Sequence, residues 1–279
     1  MINYPSIRPE IFSYGWFAIR WYGVMYVIGY SVAYFVLRGQ ARRGIFKASY
    51  NAIESLISYN IVGMLLGARL AYTMIYNWDY YSMYPSHILK IWEGGLSFHG
   101  AAVGMIVACA MWGRSRGIPF YSVTDMLAFS SSSALFFGRM GNFINAELYG
   151  RPSDVPWAMI FPTDPLKIPR HPSQLYQALT EGILLFTILS LLQRSLIARG
   201  KYRYGLIGGS FLVGYGGLRF LTEFAREPDV QLGFVLGPLS MGQVLCAIMM
   251  ASGIGVLIHA TKASPLVVPT PPDAVFLNA

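Results

Sequence analysis

Seven stretches of the chain are apolar over lengths that suit a membrane crossing, and clusters of polar, charged and aromatic residues separate them. A helix rises about 1.5 Å per residue and the hydrocarbon layer is about 30 Å thick, so roughly 20 mostly apolar residues make one crossing, fewer where neighbours screen a short span. The stretches fall near residues 17–37, 55–76, 97–113, 123–138, 176–193, 204–222 and 239–260. They predict an all-α integral membrane protein with seven transmembrane helices, a single seven-span domain over residues 1–260 and a Pro-rich tail at 261–279. No internal repeat is visible.

Composition agrees with this pattern. Hydrophobic residues make up 54% of the 279, charged residues 12%, and mean hydropathy is +0.46, too apolar for a water-soluble domain of this size. The net charge of +8 does not indicate nucleic acid, because the basic residues are divided among short connections with no basic stripe and no nucleic-acid motif. It orients the spans instead. Arg38, Arg42, Arg43 and Lys47, then Arg114 and Arg116, then Arg194, Arg199, Lys201 and Arg203 occupy alternate connections, which are therefore expected in the cytoplasm. The N-terminus is then outside, the C-terminal tail is cytoplasmic, and residues 139–175 form an outer-side cap. That outer side carries Asp79, Glu93, Glu147, Asp154, Asp164, Glu227 and Asp229. It also holds the aromatic residues Trp16, Trp21, Trp78, Tyr80, Tyr81, Tyr84, Trp92 and Trp157, suited to a headgroup layer. No short apolar core leads to a small-residue cleavage site near Arg8 and Glu10, so the first stretch is expected to stay as a span. Cys109 and Cys246 lie inside apolar runs and support neither a disulfide framework nor a zinc site.

Against this background the intramembrane polar residues stand out, since such groups are costly and face a protein interior or a wet cavity. Tyr215, Arg219 and Glu223 recur at i, i+4 and i+8 on one face of the sixth span, with Arg226 beyond them. Arg139 closes the fourth span in GRMGNFINAELYGR, followed by Asn142, Asn145 and Glu147, the last an expected orienting partner for Arg139. Gly138 and Gly141 there permit a turn or a close backbone approach. His99 opens the third span in GGLSFHG. Blander readings stand beside each: Arg219 neutralised by Glu223, Arg139 snorkelling to lipid phosphate, His99 as a hydrogen-bonded structural residue. Snorkelling leaves Asn142, Asn145 and Glu147 unexplained. Taken alone, these residues indicate an outward-facing cationic pocket for an anionic headgroup, with an imidazole able to accept a proton near neutral pH. No carboxylate cluster has metal-ligand spacing, and neither a nucleophile elbow nor a P-loop is present, so no metal or cofactor is expected.

GGLSFHG (94–100), GRMGNFINAELYGR (138–151), RHPSQLYQ (170–177), YGGLRFLTEFAREPD (215–229) and IRWYGVMY (19–26) together resemble the bacterial phosphatidylglycerol:prolipoprotein diacylglyceryl transferase family. Ala101 and Ala146 stand where that family favours Gly, and Gln177 where Glu is common. The resemblance implies a multi-pass enzyme of the inner membrane. Its reaction would move the sn-1,2-diacylglyceryl group from phosphatidylglycerol to the lipobox cysteine of a preprolipoprotein signal peptide, releasing glycerol 1-phosphate. It assigns catalysis to His99, Arg139 and Arg219, and substrate binding to Tyr26, Asn142, Asn145, Glu147, Tyr215, Glu223 and Arg226. His99 is then a base, a proton relay or a tuner of charge. The rivals are a phospholipid or anion transporter with an outward cationic cavity, and a phosphatidylglycerol hydrolase.

Overall fold

The computed structural model describes residues 2–15, 17–227, 234–237 and 239–268. Trp16, Asp229 and the tail beyond residue 268 lie outside the described residues. Helices dominate. A helix covers each apolar stretch: α1 (Trp21–Arg42), α2 (Tyr50–Ala71), α4 (Phe98–Ser115), α5 (Phe120–Ile144), the run α6–π–α7 (Ser173–Gln177, Ala178–Leu184, Leu185–Ala198), α8 (Leu206–Thr222) and α9 (Met241–Thr261), with a short α3 at Trp78–Met83. Two expectations need correction. Residues 17–20 are not helical but form β3 (Phe17–Arg20), which pairs antiparallel with β2 (Glu10–Tyr14). Gly138 and Gly141 make no turn, because α5 runs on to Ile144 and takes the first residues of the expected cap. Gly141 provides a close approach instead: a Cβ there would lie 3.1 Å from the Tyr22 ring and 3.5 Å from Met25 Cβ of α1.

Ser173–Ala198 and Met241–Thr261 are long and apolar enough to cross a membrane, and only 33% and 17% of their apolar windows are buried inside the protein. A core helix of a soluble protein would hide most of that surface. α2 and α4 likewise turn Val62, Leu66, Leu70, Val103, Ile106 and Met111 outward, an apolar expanse that suits lipid rather than water.

The chain divides into two compact units. The first comprises residues up to Val36 with Asp125–Val267. In it α8 lies against α9 through small residues, since a Cβ on Gly253 would come within 2.9 Å of Gly209 O. Asp125, fully buried in α5, accepts the N–H groups of Gly205 (2.9 Å) and Gly208 (2.7 Å), so a distant carboxylate caps the orphan donors that start α8. Ser240 caps α9 with Gln243 in a capping box. In the second unit, Leu37–Thr124, α2 and α4 meet at Gly63, Gly67, Gly100 and Gly104. A Cβ on Gly63 would sit 2.7 Å from Gly104 O, and one on Gly67 would sit 2.8 Å from Gly104 Cα. Only glycine permits that approach, the small-xxx-small arrangement of packed membrane helices.

The segment between α5 and α6 folds on a core of Phe143, Ala146 and Phe161, with Tyr4, Met140, Tyr149, Met159 and Leu175 around it. β4 (Met159–Ile160) pairs with β5 (Pro169–Arg170) and, in parallel, with β1 (Ile2–Asn3). Ala146 adopts φ 52°, a left-handed conformation that glycine takes without penalty and alanine only at a cost. The RHPSQ run wires this cap together. Arg170 donates to Asp164 from Nε (2.7 Å) and Nη2 (3.1 Å) and pairs with Glu227 (3.2 Å). Ser173 Oγ donates to Leu148 O (2.8 Å) and Gln174 Nε2 to Glu147 O (2.6 Å).

Candidate functional site

In the first unit the polar side chains of α5, the π segment and α8 gather in one cluster. Arg139 donates from Nε (3.4 Å) and Nη2 (3.2 Å) to Oε2 of Glu181. Arg219 Nη1 lies 3.6 Å from Oε1 of the same carboxylate, and Thr222 Oγ1 donates to that oxygen at 3.4 Å. Arg219 Nη2 stands 2.8 Å from Glu223 Oε2, the i,i+4 pair expected from spacing. Arg226 and Ser240 approach Glu223 Oε1 at 3.5 and 3.3 Å. Tyr215 is a hydrogen-bonding partner of Arg139. Three arginines and two glutamates leave the cluster at +1.

Two of its properties decide what it can do. Glu181 is wholly buried, whereas the side chains of Arg139 and Arg219 are 20% and 11% exposed, so the cations and not that carboxylate are reachable. Arg219 Nη1 is buried and makes no hydrogen bond among the described residues, its ion-pair contact with Glu181 Oε1 at 3.6 Å being longer than one. A guanidinium nitrogen held only by so long a contact keeps donor capacity that an anionic oxygen at hydrogen-bonding distance can use. The arrangement therefore suits an anion with several acceptor oxygens, such as phosphate, which guanidinium forks bind bidentately.

A second polar group in the same unit carries other sequence candidates. Glu147 accepts from Asn142 Nδ2 (2.8 Å) and Asn145 Nδ2 (3.5 Å), and Tyr22 and Tyr26 share a hydrogen bond of 3.1 Å. Asn142 is also a hydrogen-bonding partner of Tyr22, which links the pairs. Glu147 is thus engaged by the two asparagines, and the carboxylate that meets Arg139 is Glu181. Tyr26 is 43% exposed, the most open member of the group.

Sequence reasoning did not single out Glu181, although an acid within the apolar run 176–193 is itself the signal. The resemblance expected an acid at 177. Gln177 is buried and its Nε2 makes no hydrogen bond among the described residues, while Glu181 on the following turn carries the charge.

His99 belongs to the second unit, exposed on the first turn of α4, with Nδ1 3.4 Å from Tyr76 Oη. Ser97 caps that turn by accepting from Gly100 N (3.2 Å), and Ser97 N donates to Ala68 O (3.0 Å). The loop before it is held by Arg69, another residue that spacing did not single out. Arg69 donates to His87 O (2.7 Å), Ile88 O (2.8 Å), Lys90 O (3.1 Å), Gly94 O (2.5 Å) and Gly95 O (3.1 Å), with the Tyr81 ring 5.2 Å away. Five carbonyls thereby satisfy all five guanidinium donors. Arg69→Gln should raise amide hydrogen exchange across residues 87–95 at least about tenfold, since bonds to a charged group are worth about 1.5–3 kcal/mol each. Unchanged exchange there would remove the clamp.

The chain is thus an apolar helical protein with a buried, net-cationic cluster open through its arginines, a combination suited to binding an anion. The chain matches the prolipoprotein diacylglyceryl transferase family model over residues 9–259. It is 44% identical over 262 residues to the phosphatidylglycerol–prolipoprotein diacylglyceryl transferase of Methylococcus capsulatus, covering 93% of this chain and 98% of that protein. The Polynucleobacter asymbioticus protein of the same name is 46% identical over 263 residues, 92% and 97% of the two chains. That of Ectopseudomonas mendocina is 42% identical over 268 residues, 95% and 98%. With near-complete coverage of this order, the chain belongs to the prolipoprotein diacylglyceryl transferase family.

Proposed function

We propose that this protein transfers the sn-1,2-diacylglyceryl group of phosphatidylglycerol to the lipobox cysteine of a prolipoprotein. A thiolate sulfur attacks the diacylglyceryl carbon that bears the phosphate ester, a carbon–sulfur bond forms, and the carbon–oxygen bond breaks. Glycerol 1-phosphate leaves with the bonding electron pair. The chemistry therefore needs a thiolate, made from a thiol of pKa about 8.5, and charge stabilisation where the leaving phosphate gains negative charge.

The residues present meet the second need directly. Arg139 and Arg219 share the buried carboxylate of Glu181 while both cations remain reachable, the observation that carries this reading. Tyr215, Glu223 and Arg226 belong to the same cluster, Glu223 anchoring Arg219 while Arg226 pairs with the other oxygen of Glu223. Tyr26, Asn142, Asn145 and Glu147 line the substrate from the neighbouring group. His99 accepts the thiol proton directly or passes it on, a role supported by its exposed position and its tyrosine partner.

The protein is a multi-pass component of the bacterial inner membrane with seven spans, its N-terminus outside and its tail inside. The seven helices and the basic connections support this arrangement. Cysteines engineered at Asn51 and at Ser153 and labelled from outside intact cells should react at 153 alone; reaction at 51 alone reverses the topology.

The reaction is tested with purified protein, phosphatidylglycerol vesicles and a lipobox peptide. Glycerol phosphate release and a diacylglyceryl gain in peptide mass should appear together. Release without peptide modification means hydrolysis, and lipid movement with the headgroup intact means transport.

A further inference from the structure

The two arginines assigned to the phosphate have one feature in common that their own helices do not supply. Both touch Glu181, each through a different carboxylate oxygen, and no solvent reaches that carboxylate. Left alone, two guanidiniums in a low-dielectric site repel and turn apart. A shared carboxylate holds them together and fixes the direction of each fork.

The local structure delivers Glu181 to this position. The helix carrying it winds as a π-helix over Ala178–Leu184, an uncommon geometry that recurs at functional sites. Gly182 lets this segment lie against α5, for a Cβ there would be 2.9 Å from Phe136 N, three residues before Arg139. From the opposite side Thr222 donates to Oε1. Buried and negative, Glu181 is unsuited to contact a phosphate itself.

We propose that Glu181 is a positioning residue for the transfer reaction, setting the separation and orientation of Arg139 and Arg219 so that a single phosphate engages both. The inference rests on the reaction assigned above. Glutamine at 181 offers one acceptor oxygen and one donor nitrogen, so one arginine keeps its partner and the other faces a donor.

The test measures kcat and KM for phosphatidylglycerol with the purified full-length protein and a lipobox peptide. Glu181→Gln is expected to lower kcat about 100-fold, the scale of a misplacement of about 1 Å, while KM stays within about threefold or falls, because the cluster gains a positive charge. In an Arg139→Lys background the same change should add less than about threefold, as for groups acting as one unit. Should Glu181→Gln fail to fold, Thr222→Val removes the hydroxyl that is shared between Glu181 Oε1 (3.4 Å) and the Arg219 carbonyl of its own helix (3.2 Å), and kcat should drop about three- to tenfold with KM unchanged, an outcome that would be lost if Glu181 were merely structural.

A wild-type kcat in Glu181→Gln, a raised KM at constant kcat, full additivity with Arg139→Lys, or an unaffected Thr222→Val each overturns the proposal. Wild-type protein that neither releases glycerol phosphate nor modifies the peptide removes the assigned reaction and this inference together, a result distinct from loss in the variants alone.

Discussion

Arg219→Ala is expected to reduce diacylglyceryl transfer about 100- to 1000-fold in protein that still accumulates in the membrane, and Arg139→Ala to do the same. Each substitution removes a charge-bearing fork from the cluster and lowers its net charge from +1 to 0, so the remaining carboxylates no longer have an excess of cation to offer a phosphate. The fold should survive, because α8 is fixed by its glycine contacts with α9 and by the Asp125 cap, neither of which involves Arg219. Arg219→Lys separates charge from geometry. An ammonium can stay near Glu223, yet it cannot also hold Glu181 and present a planar pair of donors to phosphate. Steady-state assays with phosphatidylglycerol and a lipobox peptide provide the measurement, and full activity in Arg219→Lys would argue against bidentate capture.

The second large effect lies in the cap. Arg170→Ala strands Asp164, a carboxylate with no solvent contact, and removing one partner of a buried pair costs about 3–5 kcal/mol. Hydrogen bonds from Arg170, ahead of the opposing effect of desolvation, hold the Asp164 carboxyl below its usual range. A group whose folded-state pKa is depressed contributes stability that is complete above its unfolded value, about 3.9, and is lost as pH falls through the folded value. Proteolysis or hydrogen exchange over residues 147–170 should therefore accelerate below about pH 4 in the wild type. In Arg170→Ala the same region should already be open at neutral pH. A cap equally protected in both proteins at pH 7 would show that the ion pair does not hold it.

The helices were legible in the chain because uninterrupted apolar length marks them, and each of the seven apolar stretches carries a helix. The i, i+4 relation of Arg219 and Glu223 followed from helical geometry alone. Boundaries were harder. Phe17–Arg20 is as apolar as a helix start, but it pairs as a strand with Glu10–Tyr14, a long-range choice that local pattern does not encode. Arg139 found its carboxylate 42 residues away at Glu181, not at nearby Glu147, because α5 and the π segment are brought together by packing. Sequence proximity had favoured the wrong partner. Arg69 was silent for a similar reason: its ligands are backbone carbonyls, which every residue owns and no motif marks.

The contact between α2 and α4 has a mechanical consequence. With glycines meeting at Gly63, Gly67, Gly100 and Gly104, the seam is narrower than an acyl chain, so no lipid tail can wedge into it. The two helices therefore behave as a single broad stave, tied at one end by the Arg69-bound loop and the first turn of α4.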